Sequence, residues 1–495
     1  MQDAHDLAVI IAAHLPIIAL ESNDEKSAQD LLLRVAREAD KKLYRWSLTD
    51  GLQAATFALQ LEQESLYCDP QEMLTHIKHR GQAGIYMLCD LHPWLTDQPK
   101  VVRLLKDIAI RNENGAITLV LVSHAIRLPP ELSRFSARFR LSLPNENEVL
   151  ALVKDEARKW AARNGGQKVR ADSNTLIRMA AALKGLSHDE VRRLARTAIY
   201  DDGAITERDI PNLNQAKFRL MDMESVLSYS FESEDFTGLG GMENLKAWLA
   251  LRRKAFDEPV SNKGLDAPKG LLLLGVQGGG KSLAAKAVAG MWNLPMLRLD
   301  MGALYNKYHG ETERNLRDAL QLADQMAPCV LWVDEIEKGL SSGDGDGGLS
   351  QRVLASLLTW MQERKSRVFM VATANDIARL PPELLRKGRF DEIFFVDLPD
   401  RNTRKAIFSI HLARRELDPQ RFDLDELAIA SEGFSGAEIE QVVVSALYSA
   451  SVGAEPVDDE RILAELAATA PLSAVMAEKL DALRAWAAER GVRSA

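Results

Sequence analysis

Eight residues, Gly275-Val276-Gln277-Gly278-Gly279-Gly280-Lys281-Ser282, constrain this chain more than any other stretch. The apolar run Leu271–Leu274 ends at the first glycine, and a helical pattern, Ser282–Met291, begins at the last residue. The spacing fits G-x-x-x-x-G-K-[ST], a pattern that requires a strand before it and a helix after it. Glycines let the backbone wrap a phosphate, and the loop N–H groups add to the positive end of the following helix. In such a loop Lys281 reaches the terminal phosphates and the Ser282 hydroxyl takes a place on Mg²⁺. A plain glycine-rich turn is the competing explanation, and the strand–loop–helix context weighs against it.

Around this loop the sequence reads as an α/β core. Apolar runs at Val330–Val333, Val368–Thr373 and Ile393–Val396 are separated by helical patterns at Glu311–Met326 and Ser350–Glu363. That alternation predicts a buried parallel sheet flanked by helices. After Pro399 the pattern turns all-helical: Thr403–Arg414, Leu424–Ser431, Ala437–Ala450, Asp458–Ala468 and a closing helix over Ser473–Arg490. Four segments are expected: an α/β domain without nucleotide motifs over 1–145, a helical subdomain over 146–231, the α/β core over 232–400, and a helical lid over 401–495. The acidic stretch Glu232–Asp235 is the best linker candidate.

Charge and cysteine content narrow the class. Lys and Arg total 62 against 71 Asp and Glu, for a net charge of −9, which argues against broad attraction to nucleic acid or an anionic membrane. The three cysteines, Cys68, Cys89 and Cys329, lack metal-ligand spacing and fit a reducing compartment. Residues 1–6 are acidic where a secretory leader is basic, and Leu7–Leu20 is broken by His14 and Pro16. A cytoplasmic protein without membrane insertion is expected.

Asp334 and Glu335 follow an apolar strand. A strand-end aspartate beside a phosphate loop can hold Mg²⁺, and the next carboxylate can orient or deprotonate an attacking water. A solvated acidic turn is the alternative.

The first half repeats parts of this plan. Ile126-Arg-Leu-Pro-Pro-Glu-Leu132 matches Ala378-Arg-Leu-Pro-Pro-Glu-Leu384 at six of seven places. Tyr86-Met-Leu-Cys-Asp90 is similar to Leu331-Trp-Val-Asp334, and Lys184-Gly-Leu-Ser187 to Glu432-Gly-Phe-Ser435, in the same order. A diverged duplication accounts for this, with two unrelated α/β domains as the alternative. Aligned on the aspartates, Asp90-Leu91 stands opposite Asp334-Glu335, and Ser123 opposite Asn375, so the first half lacks a hydrolytic carboxylate. Its strand Ile17–Leu20 runs into Glu21-Ser-Asn-Asp-Glu25, the wrong charge for a triphosphate. This half is expected not to hydrolyse ATP, and to brace an assembly or recruit partners.

Over about Phe236–Arg490 the order of motifs resembles the AAA ATPases, a subgroup of AAA+ proteins that includes protein unfoldases and microtubule-severing enzymes. The resemblance implies a P-loop α/β core with a helical lid, ATP and Mg²⁺ as cofactors, and a set of roles. Asp334 joins Ser282 at the metal, while Glu335 and Asn375 place the hydrolytic water. The nucleotide rests on Leu239 and Gly240 within Thr237–Gly241, on Gln277, Gly278, Gly279, Gly280, Lys281, Ser282 and Leu283, and on His411, Gly436 and Ala437 of the lid. Arg386 and Arg389 match paired arginines that reach into a neighbouring subunit's nucleotide, so a homo-hexameric ring is implied. Asn306-Lys-Tyr308-His309-Gly310-Glu311 resembles a pore loop whose aromatic residue grips polypeptide. Tyr308 fits that loop, and His309 replaces the usual aliphatic residue. A core tyrosine is the plainer explanation for Tyr308, and Ser341–Gly348 is either a second substrate contact or a bare loop.

Across nearly the whole chain the sequence is similar to the orphan AAA ATPase family of chloroplast genomes, cyanobacteria and other bacteria. Lys-Tyr-His-Gly-Glu, Leu358-Thr-Trp-Met-Gln362 and Leu385-Arg-Lys-Gly-Arg-Phe-Asp-Glu392 carry that likeness. Three functions stay open: a remodeller that threads a protein client, an ATP-controlled switch or scaffold whose first half binds a partner or adaptor, and nucleic-acid work. The charge balance and the lack of an RNA- or DNA-binding motif argue against the third.

Overall fold

The computed structural model describes all residues except 1, 23, 55–65, 113–114, 222–225, 231–238, 258–266, 305–310, 341–348, 387 and 454–455. The linker candidate Glu232–Asp235, the loop bearing Tyr308 and His309, and Ser341–Gly348 all lie outside the described residues. The chain forms two compact units, one of residues 1–170 with 184–204, the other of residues 171–183 with 205–495.

In the first unit β1 (Ile17–Glu21), β2 (Lys42–Ser47), β3 (Gly51–Ala54), β4 (Gly84–Cys89), β5 (Ile117–Ser123) and β6 (Ser136–Arg140) make a six-stranded sheet in the order β3-β2-β4-β5-β1-β6. All pairs are parallel except β2–β3. Two further short strands, β7 (Arg170–Ala171) and β8 (Ala204–Ile205), pair with each other. The second unit contains β9 (Leu227–Ser230), β10 (Gly270–Gly275), β11 (Met296–Asp300), β12 (Cys329–Asp334), β13 (Val368–Ala374), β14 (Glu392–Val396) and β15 (Arg493–Ser494). Their order is β15-β14-β10-β13-β12-β11-β9, with only β9 antiparallel.

Each sheet is built on the same five-strand order: β6-β1-β5-β4-β2 in the first unit, β14-β10-β13-β12-β11 in the second. The repeated sequence pairs also fold alike. Leu132 N–H donates to Pro129 O at 3.0 Å, and Leu384 N–H to Pro381 O at 3.0 Å. Gly185 and Gly433 both take left-handed φ, +85° and +82°. Ser187 and Ser435, which follow, each cap a helix reciprocally with Glu190 and Glu438. Shared strand order and shared local geometry support the duplication over two unrelated folds.

The central strands β10, β12 and β13 are buried on both faces, which is why they read as apolar runs. One face packs on the helices Lys281–Trp292 and Glu243–Asp257 through Ala284, Val288, Trp248 and Phe256. The other packs on Glu311–Met326 and Leu349–Glu363 through Leu316, Leu320, Val353 and Leu357. The lid helices Arg401–Ala413, Leu424–Ala430, Gly436–Gly453 and Asp459–Ala468 share their own apolar cluster around Phe408 and Val443. The closing segment differs from expectation, forming Leu472–Val475 and Ala477–Glu489 with a break at Met476. Strand β11 was not anticipated, because Arg298 and Asp300 are exposed and interrupt its apolar pattern.

Candidate functional site

The glycine-rich Gly275–Ser282 motif lies at the carboxyl end of β10, where open parallel sheets place their ligands. Glycine is required there by geometry. A Cβ on Gly275 would stand 2.0 Å from the Val396 carbonyl oxygen, and Gly278 and Gly280 hold φ of +76° and +89°. Ala437 N–H donates to Gly278 O at 3.3 Å, bringing the lid down onto the loop.

Loop and lid enclose a cleft of about 660 Å³. It is lined by every residue expected at the nucleotide: Leu239, Gly240, the loop from Gln277 to Leu283, and His411, Gly436 and Ala437 of the lid. Asp334, Glu335 and Asn375 line it as well. Its volume falls within the range of ligand sites, roughly 300–1,000 Å³.

Lys281 is only 6% exposed, and its Nζ donates to Gly275 O at 2.9 Å and Val276 O at 2.6 Å. Burial pulls its pKa down to about 8, while Glu337, Asp334 and Glu335 pull the other way. A buried ammonium held by carbonyl oxygens gains most from an anion, so this residue fits a phosphate.

The acidic pair is held by Thr373 on the neighbouring strand. Its hydroxyl donates to Asp334 Oδ1 at 2.7 Å and accepts the Glu335 N–H at 3.0 Å. Arg298 donates to Asp334 Oδ2 at 3.1 Å. Glu335 leaves β12 with φ +47°, a sparsely populated conformation for a residue with a side chain. Asn375 Nδ2 donates to Glu335 Oε1 at 2.8 Å, and Lys338 pairs with the other oxygen. Glu337 lies beneath them, 4% exposed, with its Oε1 accepting the Asn375 N–H at 2.9 Å. Burial raises its pKa, and the nearby Glu335 adds to the rise.

Neither Thr373 nor Glu337 was anticipated from sequence. Thr373 ends an apolar run and reads as strand, and Glu337 reads as one more acid in a turn. The only available signal was their placement beside the motif, Thr373 near the end of β13 and Glu337 in the short helix after β12.

His411 lies in the cleft wall, 7% exposed, its Nδ1 3.5 Å from Glu440 Oε1. Burial depresses its pKa, opposed by Glu440. Arg386 and Arg389 do not line this cleft. Arg386 is exposed, whereas Arg389 is half-buried and donates from Nη1 to Leu358 O at 2.6 Å.

The strand ends of the two units do not correspond aspartate to aspartate. On β12, Val330 and Trp332 face the helix Lys281–Trp292 that follows β10, and strand alternation puts Asp334 on the same side. On β4 the residues facing the corresponding helix, Glu25–Glu38, are Ile85, Met87 and Cys89. Cys89 therefore stands in the place of Asp334, and Asp90 in that of Glu335. Asp90 has the matching φ of +51°, and each is followed by a short 3-10 helix, His92–Leu95 or Ile336–Gly339. The same alternation on β5 and β13 puts Val122 opposite Thr373 and His124, not Ser123, opposite Asn375. The first unit thus keeps a carboxylate at the exit of its strand and substitutes a buried thiol for the aspartate. Where the second unit has its glycine-rich loop, Asp24 of the first accepts Ser27 N–H at 2.9 Å and caps the next helix.

Comparisons with known proteins agree with this architecture. Residues 271–398 match the model of the ATPase family associated with various cellular activities (AAA), and residues 421–451 match the AAA+ lid domain. Residues 3–141 and 147–224 match the N-terminal and second domains of SpoVK-like AAA ATPases. The uncharacterized AAA domain-containing protein ycf46 of Pyropia yezoensis is 32% identical over 514 residues, covering 100% of this chain and 99% of its own. The chain belongs to the ycf46 family of AAA domain-containing proteins. A second ycf46 protein, from Trieres chinensis, is 34% identical over 500 residues, covering 99% of this chain and 97% of its own. Beyond the ycf46 family, the proteasome-activating nucleotidase of Aeropyrum pernix is 39% identical over 364 residues, covering 70% of this chain and 82% of its own. Among the described residues no helix is long and apolar enough to cross a membrane.

Proposed function

We propose that this ycf46-family chain hydrolyses ATP with Mg²⁺ and uses the cycle to remodel a protein client from within a homo-hexameric ring. The observation that carries the ATPase reading is the Thr373-centred arrangement, which joins Asp334, Glu335 and, through Glu335, Asn375 in one cleft with Lys281. In it Lys281 and the loop N–H groups would hold the β- and γ-phosphates, and Asp334 with Ser282 would hold the metal, which when bound would supply neutralising charge to the phosphates. Glu335, steadied by Asn375, orients the attacking water and takes its proton. Arg386 and Arg389 point the same reading toward assembly: they serve a neighbouring subunit's cleft, where a guanidinium stabilises the charge of the transferring phosphoryl group. Tyr308 and His309, in the pore-loop motif, are assigned to the client, and a cytoplasmic or plastid setting fits the family.

A second reading, an ATP-controlled switch, draws on the first unit, an AAA-like sheet in which the acidic sequence Glu21–Glu25 stands where a phosphate loop would be. A substrate trap separates the two. Glu335→Gln is captured from its own lysate with ATP, beside the Glu335→Gln/Tyr308→Ala double variant. Proteins enriched only when Tyr308 is present support threading; proteins held equally by both overturn it in favour of the switch.

A further inference from the structure

The first unit repeats the strand order of the ATPase but carries different chemistry at the matching strand ends. The positions of Glu335, Glu337 and Asn375 are occupied by Asp90, His92 and His124. One ligand atom from each of these three lies within 4.8 Å of the others, the only such group among the described residues. Asp90 Oδ1 and His92 Nδ1 are 3.8 Å apart, and the two imidazole rings meet edge to face with centroids 4.9 Å apart.

The three side chains converge on one buried hydroxyl. Ser123 Oγ, in a residue 4% exposed, lies 3.0 Å from Asp90 Oδ1, 2.8 Å from His92 Nδ1 and 3.3 Å from His124 Nδ1. A hydroxyl has one proton to give and two lone pairs to offer. It donates to the Asp90 carboxylate, its role toward each ring nitrogen follows that ring's tautomer, and so a single side chain draws all three together. Asp90 is held there in a left-handed backbone conformation, φ +51°. The cluster stands at the carboxyl ends of β4 and β5, open to solvent through the exposed Asp90 and His124.

We propose that Asp90, His92 and His124 bind a divalent transition-metal ion, Zn²⁺ foremost, in a site separate from the ATP cleft. Two imidazoles and a carboxylate are a donor set for zinc or iron-class ions rather than for Mg²⁺, which prefers oxygen alone. Around a tetrahedral ion at about 2.0 Å, donor atoms stand roughly 3.3 Å apart. The cluster reaches that spacing by closing about 1.5 Å at most, a side-chain adjustment. Three protein ligands leave coordination open for water or a partner's side chain. Ser123, which meets both rings at Nδ1 and Asp90 at Oδ1, orients the ligands. A serine–histidine–aspartate relay is excluded by the geometry, because Ser123 and Asp90 both approach His92 at the same nitrogen, Nδ1.

The test uses the tag-free full-length chain without nucleotide, with Zn²⁺ uptake measured by equilibrium dialysis and Co²⁺ as the spectroscopic probe. The wild type is expected to take up about one Zn²⁺ per chain, and its Co²⁺ form to show intense d–d absorption of low coordination number. His92→Ala/His124→Ala is expected to lose the spectrum and at least about tenfold in Zn²⁺ affinity. Asp334→Asn is expected to retain both, which separates this site from the ATP cleft. Should the double variant misfold, Asp90→Asn, at a position whose side chain is 72% exposed, carries the test alone. Equal uptake by wild type and variants, loss of uptake in Asp334→Asn alone, or no uptake by the wild type overturns the proposal.

Discussion

Asn375 Nδ2 donates to Glu335 Oε1 across 2.8 Å, tying the end of β13 to the residue that leaves β12 in a left-handed turn. The bond leaves Glu335 one acceptor oxygen shared with Lys338 and fixes the direction in which the carboxylate faces. Replacing Asn375 by Ala frees that carboxylate without touching the phosphate loop. The expected result is a fall in kcat of about 10- to 100-fold with KM for ATP changed by less than about threefold, as for a lost transition-state interaction. Steady-state ATPase assays check this, and a rise in KM at constant kcat would place Asn375 in ground-state binding instead.

Thr373 positions both carboxylates through one hydroxyl. Thr373→Val keeps the shape and removes the hydroxyl, leaving Asp334 and the Glu335 N–H without this partner. A buried hydrogen bond to a charged group contributes about 1.5–3 kcal/mol, so activity is expected to drop by about 10- to 100-fold and the Mg²⁺ requirement to rise. Thr373→Ser is expected to restore most of it. Equal loss in both variants would mean that packing, not the hydroxyl, matters.

Burial draws the pKa of Lys281 down to about 8, so under the proposed function ATP binding is expected to depend on pH. The bound triphosphate requires the charged ammonium, so above pH 8 the free protein must take up a proton to bind. Affinity for MgATP is therefore expected to be flat below pH 8 and to weaken by up to about tenfold per unit above it. Fluorescent-nucleotide titration between pH 6.5 and 9.5 measures the slope; a flat profile across that range contradicts the assignment.

Arg386 is exposed and Arg389 donates to the Leu358 carbonyl, so of the two Arg386 is the freer to reach another molecule. Arg386→Ala is expected to reduce ATPase by about 10³-fold, as for an arginine supplied in trans, with ATP binding retained. Mixing it with Lys281→Ala, which keeps its arginines but lacks its own phosphate lysine, is expected to recover activity above the sum of the two. No recovery at any mixing ratio would remove Arg386 from an intersubunit role.

The glycine-rich loop between strand and helix, the acidic pair at the strand end and the buried strands were legible because each depends on local sequence: glycines at fixed spacing, or apolar residues in a run. The lid helices were legible by periodicity, within a few residues at each end. Strand β11 was not, because Arg298 answers to Asp334 across the sheet and not to its own neighbours in sequence. Thr373 and Glu337 were missed for the same reason, their roles arising only when two strand ends meet. The first unit shows a different limit. Matching Asp90 to Asp334 by residue type slips the register by one, and only the alternation of Cys89 and Met87 on one sheet face puts Asp90 opposite Glu335.

The most direct measurement is the ATPase rate of Glu335→Gln beside its affinity for ATP, both with Mg²⁺. The cleft geometry predicts ATP bound as tightly as by the wild type and hydrolysed at least about 10²-fold more slowly, the loss expected for a positioned base. Equal turnover in wild type and variant would contradict the account at its centre.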